Sequence, residues 1–282
     1  MYEAFFGLRE APFSLNPDPR FLWLSDTHQE ALAALSYGIA TRAGFILLTG
    51  GVGSGKTTLL RAALARVPSG FEAGLIANTA GLSDLDLLKL VAVEFRSEGR
   101  LRSKADCLVG LKAALLERAR TGVKPVLVID EAQNLSTNAL EQVRLLSNFE
   151  TDRAKLVQII LTGQPELRRK LALPQLEPLS QRIVIDHHLE PLRPFEVRLY
   201  LEHRLRVAGG RFEQVFDPGC ETIFYGFSVG CPRLVSALAD RALLAAYAQG
   251  LRPVPRALVE AKAKELDSAR SDELWEADVW ER

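Results

Sequence analysis

The sequence predicts an α/β fold, a five-stranded parallel sheet with helices on both faces, followed by a small all-helical lid. Three observations predict it. Short, near-continuously apolar runs alternate with helical stretches between residues 45 and 189, the pattern of strands covered on both faces. A glycine-rich phrase, GGVGSGKT at 50–57, stands between the first of these runs and the helix after it. Beyond Pro191 the strands stop and only helical segments follow.

Residues 1–24 read as an irregular arm. Pro12, Pro17 and Pro19 interrupt any helix there, while Phe5, Phe6, Phe13, Phe21 and Trp23 need apolar cover. Ser25 or Asp26 opens a helix over 26–41, with Ala31, Leu32, Leu35 and Ile39 at helical spacing. The runs FILLT (45–49), GLIAN (74–78), VLVID (126–130), LVQIILT (156–162) and IVIDHHL (183–189) read as buried strands. Helices are predicted over 56–66, 83–97, 103–121 and 136–148, with Ser83, Ser103 and Ser136 as N-caps. A short helical segment starts at Pro165. The lid helices fall near 194–208, 217–227, 232–248 and 254–267, separated by Gly209-Gly210, Gly230 and the Pro253/Pro255 pair. The division expected is an arm (1–24), a nucleotide-binding α/β core (25–192), a helical lid (193–267) and an acidic tail (268–282). From Glu265 onward seven acids face two arginines, and Trp275 and Trp280 need cover from this chain or a neighbour.

Composition narrows the function classes. The chain has 282 residues, with 35 Lys+Arg against 35 Asp+Glu, so it lacks the strong positive charge of a general nucleic-acid binder. At 48% hydrophobic and 25% charged it is an ordinary globular sequence. The longest apolar stretch, around Ala43–Thr49, falls far short of the roughly 20 residues that span a bilayer. The start, MYEAFFGLREAP, carries charges where a signal peptide needs an apolar core, so a cytoplasmic chain is expected. Cys107, Cys220 and Cys231 are far apart and form no CxxC pair. The four histidines show no ligand spacing with them, and His187 and His188 alternate along a strand toward opposite faces.

The chemistry centres on the P-loop. Gly50, Gly51, Val52, Gly53, Ser54, Gly55, Lys56 and Thr57 fit GxxxxGK[ST], after a strand and before a helix. The glycines let successive N–H groups curl around phosphate oxygens, and the helix N-terminus adds partial positive charge. Lys56 would reach the β- and γ-phosphates and Thr57 would give its hydroxyl to Mg²⁺. An acid at the tip of another strand completes such a site, and Asp130 follows the apolar run 126–129. Asp130 would hold the metal's hydration shell, and Glu131 would polarise an attacking water, making the chain a hydrolase. Gln164 and Thr162 are alternatives for a polar group sensing the γ-phosphate, with Gln164 preferred. Arg182 is the candidate for an arginine acting on a neighbouring subunit's site, against the plainer reading of a surface arginine or a local salt bridge. Pro232 starts a helix that aims Arg233 back toward the nucleotide.

Together these residues resemble an AAA+ ATPase. More narrowly, the chain is similar to the ATPase domain of the ExeA/GspA (general secretion pathway protein A) family and its relatives in exopolysaccharide and PEP-CTERM export. The matching phrases include YEAFFGL, APFSLNPDPRFLWLS, GFILLTGGVGSGKTTLLR, VLVIDEAQNLS, LSNFETDRAKLVQIILTGQPEL, LSQRI, HLEPL and CPRLVSALADRALLAAYA, spread over about residues 1–250. The resemblance implies an AAA+ P-loop core with a helical lid, and phosphate binding by Gly50 to Thr58. It also implies metal and water handling by Asp130 and Glu131, and finger and second-sensor roles for Arg182 and Arg233. It implies ATP and Mg²⁺ as cofactors, a homo-oligomer, and partners in secretion or export machinery at the cytoplasmic face of the inner membrane. Gly51 departs from the family, whose members commonly carry an acid there. Full-length secretion members continue into a transmembrane helix and a peptidoglycan-binding domain that this sequence lacks after Pro255, so a cytoplasmic fragment or a soluble relative is expected. Two other readings stay open: a DNA-binding AAA+ regulator of transposition, with Arg42, Arg61, Arg66, Arg100, Arg102, Lys104, Arg118 and Arg120 as a basic face, and a nucleotide-gated switch with little turnover.

Overall fold

A computed structural model describes residues 1–14, 18–67, 69–151 and 154–280, without the side chains of 269–280. Pro17 and the side chains of Trp275 and Trp280 therefore lie outside the described residues. Helix α1 (Tyr2–Phe6) and helix α2 (Asp26–Thr41) precede strand β1 (Phe45–Gly50), helix α3 (Lys56–Ala65) and strand β2 (Phe71–Ile76). Helices α4 (Asp84–Glu94) and α5 (Lys104–Arg120) lead to β3 (Lys124–Ile129), then α6 (Thr137–Leu146) and β4 (Gln158–Gly163). Two short helices, α7 (Pro165–Leu171) and α8 (Glu177–Ser180), lead to β5 (Ile183–Leu189). The rest is helical: α9 (Pro194–Val207), α10 (Phe212–Val215), α11 (Cys220–Ser228), α12 (Pro232–Gln249) and α13 (Arg256–Trp280).

The chain divides into two compact units. One comprises Asp26–Gly51 and Leu59–Leu189, and the other Met1–Ser25, Val52–Thr58 and Glu190–Arg282. In the first, five parallel strands run in the order β2-β3-β4-β1-β5. Alternate residues of the central strands fill both faces. Phe45, Leu47, Leu127, Ile129, Ile159 and Leu161 pack with α4, α5 and α6. Ile46, Leu48, Val126, Val128 and Ile160 are equally buried on the opposite side. Helix α2 packs against β1 and β5. Parallel pairing brings the C-terminal ends of β1, β4 and β3 to one edge of the sheet, with Thr49 beside Gly163 and Leu161 beside Ile129. Ser83, Ser103 and Ser136 cap α4, α5 and α6, each accepting a backbone N–H three residues on.

In the second unit Phe6, Phe13 and Phe21 share one apolar core with Leu201, Phe212, Phe216, Phe224, Leu238 and Val259. Arg204 of α9 pins the arm: it donates to the carbonyls of Pro12 and Ser14 at 2.6 and 2.9 Å and to the Tyr200 hydroxyl at 2.9 Å. Its guanidinium also lies 5.1 Å from the Phe21 ring centre.

Several element boundaries differ from the sequence reading. The arm opens with the short helix α1, because its prolines begin only at Pro12. Strand β2 covers 71–76, not 74–78: pairing with β3 stops at Ile76–Ile129, and the chain turns away toward Thr79. As sheet edges, β2 and β5 are only partly buried, with Leu75 and Val184 exposed, in contrast to the fully buried strands predicted. The helix expected near 217–227 is α11, starting at Cys220, a further short helix α10 precedes it at Phe212–Val215, and the last helix runs on through the tail to Trp280.

Candidate nucleotide site

The P-loop leaves β1 at Gly50, and α3 starts at Lys56. Gly53 (φ 74°) and Gly55 (φ 93°) occupy the left-handed region that side chains disfavour, which turns the loop back on itself. Gly53 also has no room for a side chain. A Cβ there would lie 2.6 Å from the Cβ of Arg233 and 3.0 Å from Cys231 Sγ. Gly51 differs, having ordinary backbone and no atom within 4 Å of an added Cβ, so an acid at this position would fit. Ser54 and Lys56 are buried, while Val52 is exposed. The start of α12 therefore lies against the loop within one unit. Cys231, its N-cap, approaches the Val52 carbonyl at 3.3 Å, and the stem of Arg233 covers Gly53. A preceding contact fixes this helix start, since Leu192 N–H donates to the Gly230 carbonyl at 2.9 Å.

The acidic residues sit in the other unit, at the end of β3. Asp130 is buried and continues the sheet's bonding, its N–H donating to the Ile76 carbonyl at 2.9 Å. Its Oδ1 accepts from the Thr162 hydroxyl and from the Glu131 N–H. Glu131 has left-handed backbone (φ 52°, ψ 38°), a conformation that costs a non-glycine residue on the order of 1–3 kcal/mol unless its surroundings hold it. They do hold it: the Glu131 carbonyl accepts from Thr79 Oγ1 at 2.7 Å and from Asn134 N–H at 3.0 Å. The strained turn lifts the Glu131 carboxylate out of line with β3. There its Oε2 meets the carboxamides of Gln133 and Gln164.

The sequence-predicted residues thus fall into separate groups. Gly53 and Arg233 come together within one unit; Asp130, Glu131, Thr162 and Gln164 come together within the other. Thr162 and Gln164, the two sensor alternatives, serve different acids, Thr162 touching Asp130 and Gln164 touching Glu131. Arg182 precedes β5, at the opposite end of the sheet from the acids. Its Nη1 donates to Ser147 Oγ and Asn148 Oδ1, both at 2.6 Å. Thr79, Gln133 and Lys170 were not anticipated. No spacing rule marks Thr79 or Lys170, whereas Gln133 could have been noticed as the polar residue two positions after Glu131.

Of the proposed basic face, Lys104 pairs with Asp84, Arg118 with Glu72 at 2.6 Å, and Arg120 with Glu117 at 3.3 Å. His188 Nδ1 lies 2.9 Å from Thr49 Oγ1. Among the described residues no group of three or more His, Cys, Asp or Glu is placed to hold a metal, and no helix is long and apolar enough to cross a membrane. Burial raises the pKa of the Cys107 and Cys220 thiols, to about 11 for Cys220.

Known proteins resemble this chain in sequence and in fold. The family described as AAA domain matches residues 39–171. General secretion pathway protein A of Aeromonas hydrophila is 40% identical over 281 residues, covering 98% of this chain and 50% of its own. The chain thus spans half the length of that relative. Among solved structures, the ORC2 protein of Aeropyrum pernix superposes with a TM-score of 0.69 at 19% identity, over 91% of this chain and 71% of its own. Cdc6p of Pyrobaculum aerophilum gives 0.68 at 18% identity, over 86% and 67%, and the RuvB branch migration motor of Thermotoga maritima gives 0.57 at 15%, over 87% and 70%. These distant likenesses establish the fold, a parallel α/β core with helices. Over the length compared, the chain belongs to the AAA+ family of General secretion pathway protein A.

Proposed function

We propose that this chain binds ATP with magnesium and hydrolyses it, as the nucleotide-driven part of an oligomeric assembly that serves a bacterial secretion or export system. One observation carries the proposal: the GGVGSGKT loop follows β1, with Gly53 and Gly55 in the left-handed region and Lys56 buried as the first residue of a ten-residue helix. That arrangement suits a triphosphate, because turned-in N–H groups and a helix N-terminus supply fixed positive potential. Lys56 is assigned to the β- and γ-phosphates and the Gly50–Thr58 backbone to their oxygens. Thr57 and Asp130 would hold magnesium, and the chain offers the hard oxygen donors that this ion takes. Bound magnesium would neutralise charge on the transferring phosphoryl group.

Glu131 is assigned as general base. It accepts a proton from the water whose oxygen attacks the γ-phosphorus, the bond to the bridging oxygen breaks, and ADP leaves. Gln164 is assigned as the sensor of the γ-phosphate, because its carboxamide already touches the base. Arg233 is assigned to coupling the lid to the nucleotide, and Arg182 to the site of an adjacent protomer. The secretion setting rests on the Aeromonas relative, General secretion pathway protein A. Against the DNA-binding alternative stands that Lys104, Arg118 and Arg120 of its eight basic residues are taken up by ion pairs.

The test is magnesium-dependent phosphate release by the purified chain. Glu131→Gln should lower turnover by at least about a hundredfold while ATP still binds. Failure to hydrolyse ATP over a wide range of protein concentration would refute the reading.

A further inference from the structure

Gln133 lies two residues beyond the proposed base, and its side chain has a place that hydrolysis as described above does not use. Its Oε1 accepts from the Gln164 N–H at 3.1 Å. A backbone N–H only donates, so this contact fixes which way the carboxamide faces and turns Nε2 toward Glu131. Nε2 meets Glu131 Oε2 at 2.5 Å, and Gln164 Nε2 lies 3.4 Å from the same oxygen. Two amides therefore converge on one of the two carboxylate oxygens.

The Gln133 backbone is itself held in place. Lys170 Nζ donates to the Gln133 and Leu135 carbonyls at 2.5 and 2.7 Å, anchoring the turn that carries Gln133 to α7. Gly163 provides the space: a Cβ there would lie 2.8 Å from Gln133 Oε1 and 2.8 Å from Leu167 Cδ2. The Glu131 backbone is fixed by Thr79 and Asn134, so both ends of the Gln133–Glu131 contact have defined positions.

We propose that Gln133 is the positioning residue for Glu131. It grips Oε2 and leaves Oε1 as the oxygen that takes the proton from water. Through the Gln164 N–H it ties that orientation to the tip of β4. This inference rests on the reading of Glu131 as the base for ATP hydrolysis.

Two variants separate positioning from folding. Gln133→Glu keeps the length and the acceptor for Gln164 N–H but removes the donor, and Gln133→Met keeps only the bulk. Both should slow single-turnover hydrolysis by about ten- to a hundredfold, as expected for losing one hydrogen bond to an ionised group, with ATP affinity changed less than about threefold. Rates at or above the parent's in both variants would overturn the proposal. A crystal structure of nucleotide-free Gln133→Met gives a readout that needs no activity. The Glu131 carboxylate should leave its place beside Gln164, and a carboxylate still seated there would overturn the positioning role even if the parent proved inactive. Absent hydrolysis by the parent would instead overturn the reading of Glu131 as base.

Discussion

Replacing Gly53 by alanine places a Cβ where φ is 74°, with Arg233 Cβ at 2.6 Å and Cys231 Sγ at 3.0 Å. The left-handed backbone costs an L-residue about 1–2 kcal/mol. Overpacking against neighbours at those distances adds about 1–3 kcal/mol. Without nucleotide the loop escapes this strain by shifting. Phosphate binding must restore the cradle, so the cost is felt in affinity. A total of about 2–5 kcal/mol corresponds to an affinity loss of about thirtyfold to several-thousandfold. Gly51→Ala is the internal control, two residues away in the same loop, with nothing within 4 Å of the added carbon, and it should stay within about twofold of the parent. Equilibrium titration with a fluorescent ATP analogue reads both variants, and thermal unfolding checks that each is folded. A Gly53→Ala affinity within threefold of the parent, or a Gly51→Ala loss as large as that of Gly53→Ala, would refute the reasoning.

Two further outcomes follow from contacts elsewhere. Arg204→Ala removes two charge-assisted hydrogen bonds to the arm and the contact with Phe21, so stability should fall by about 2–4 kcal/mol, read by thermal unfolding, with new protease cleavage in the first 25 residues. An unchanged cleavage pattern would show that the arm is held by its aromatic residues alone. If Arg182 acts on an adjacent protomer, specific ATPase activity should rise with protein concentration and Arg182→Ala should abolish that rise while leaving nucleotide binding intact. A rise that persists in the variant would leave Arg182 with the local role of its bonds to Ser147, Asn148 and the Arg144 carbonyl.

The parts legible in the sequence are those whose physics is local. A phosphate cradle needs its glycines, lysine and hydroxyl in consecutive positions, so 50–57 stands out unaided. Ser83, Ser103 and Ser136 announce their helices because a cap acts on N–H groups three residues away. Central strands β1, β3 and β4 are apolar because both faces are covered. Strand order is different, being set by tertiary pairing. Hence the half-exposed character of β2 and β5 was not foreseen, nor was the earlier start of β2, whose Phe71 and Glu72 alternate in a way that a search for apolar runs passes over. Thr79 and Lys170 reach the acidic turn only because β2 lies beside β3 and α7 follows β4, so each is silent in one dimension. Gln133 is closer to legible. Its partner Gln164 had been marked, but the contact needs the space at Gly163, which only coordinates reveal.

The shared core of residues 1–25 and 190–282 has a consequence for biogenesis. Phe13 and Phe21 leave the ribosome some 200 residues before Phe212, Phe224 and Leu238, on which they settle. At translation rates of about 5–20 residues per second, that interval is about 10–40 s, during which the aromatic arm has no native berth. The α/β unit can close meanwhile, because its strands emerge contiguously apart from the short 52–58 loop. A nascent chain stalled before α12 should therefore display a sticky aromatic arm for holdase chaperones to grip.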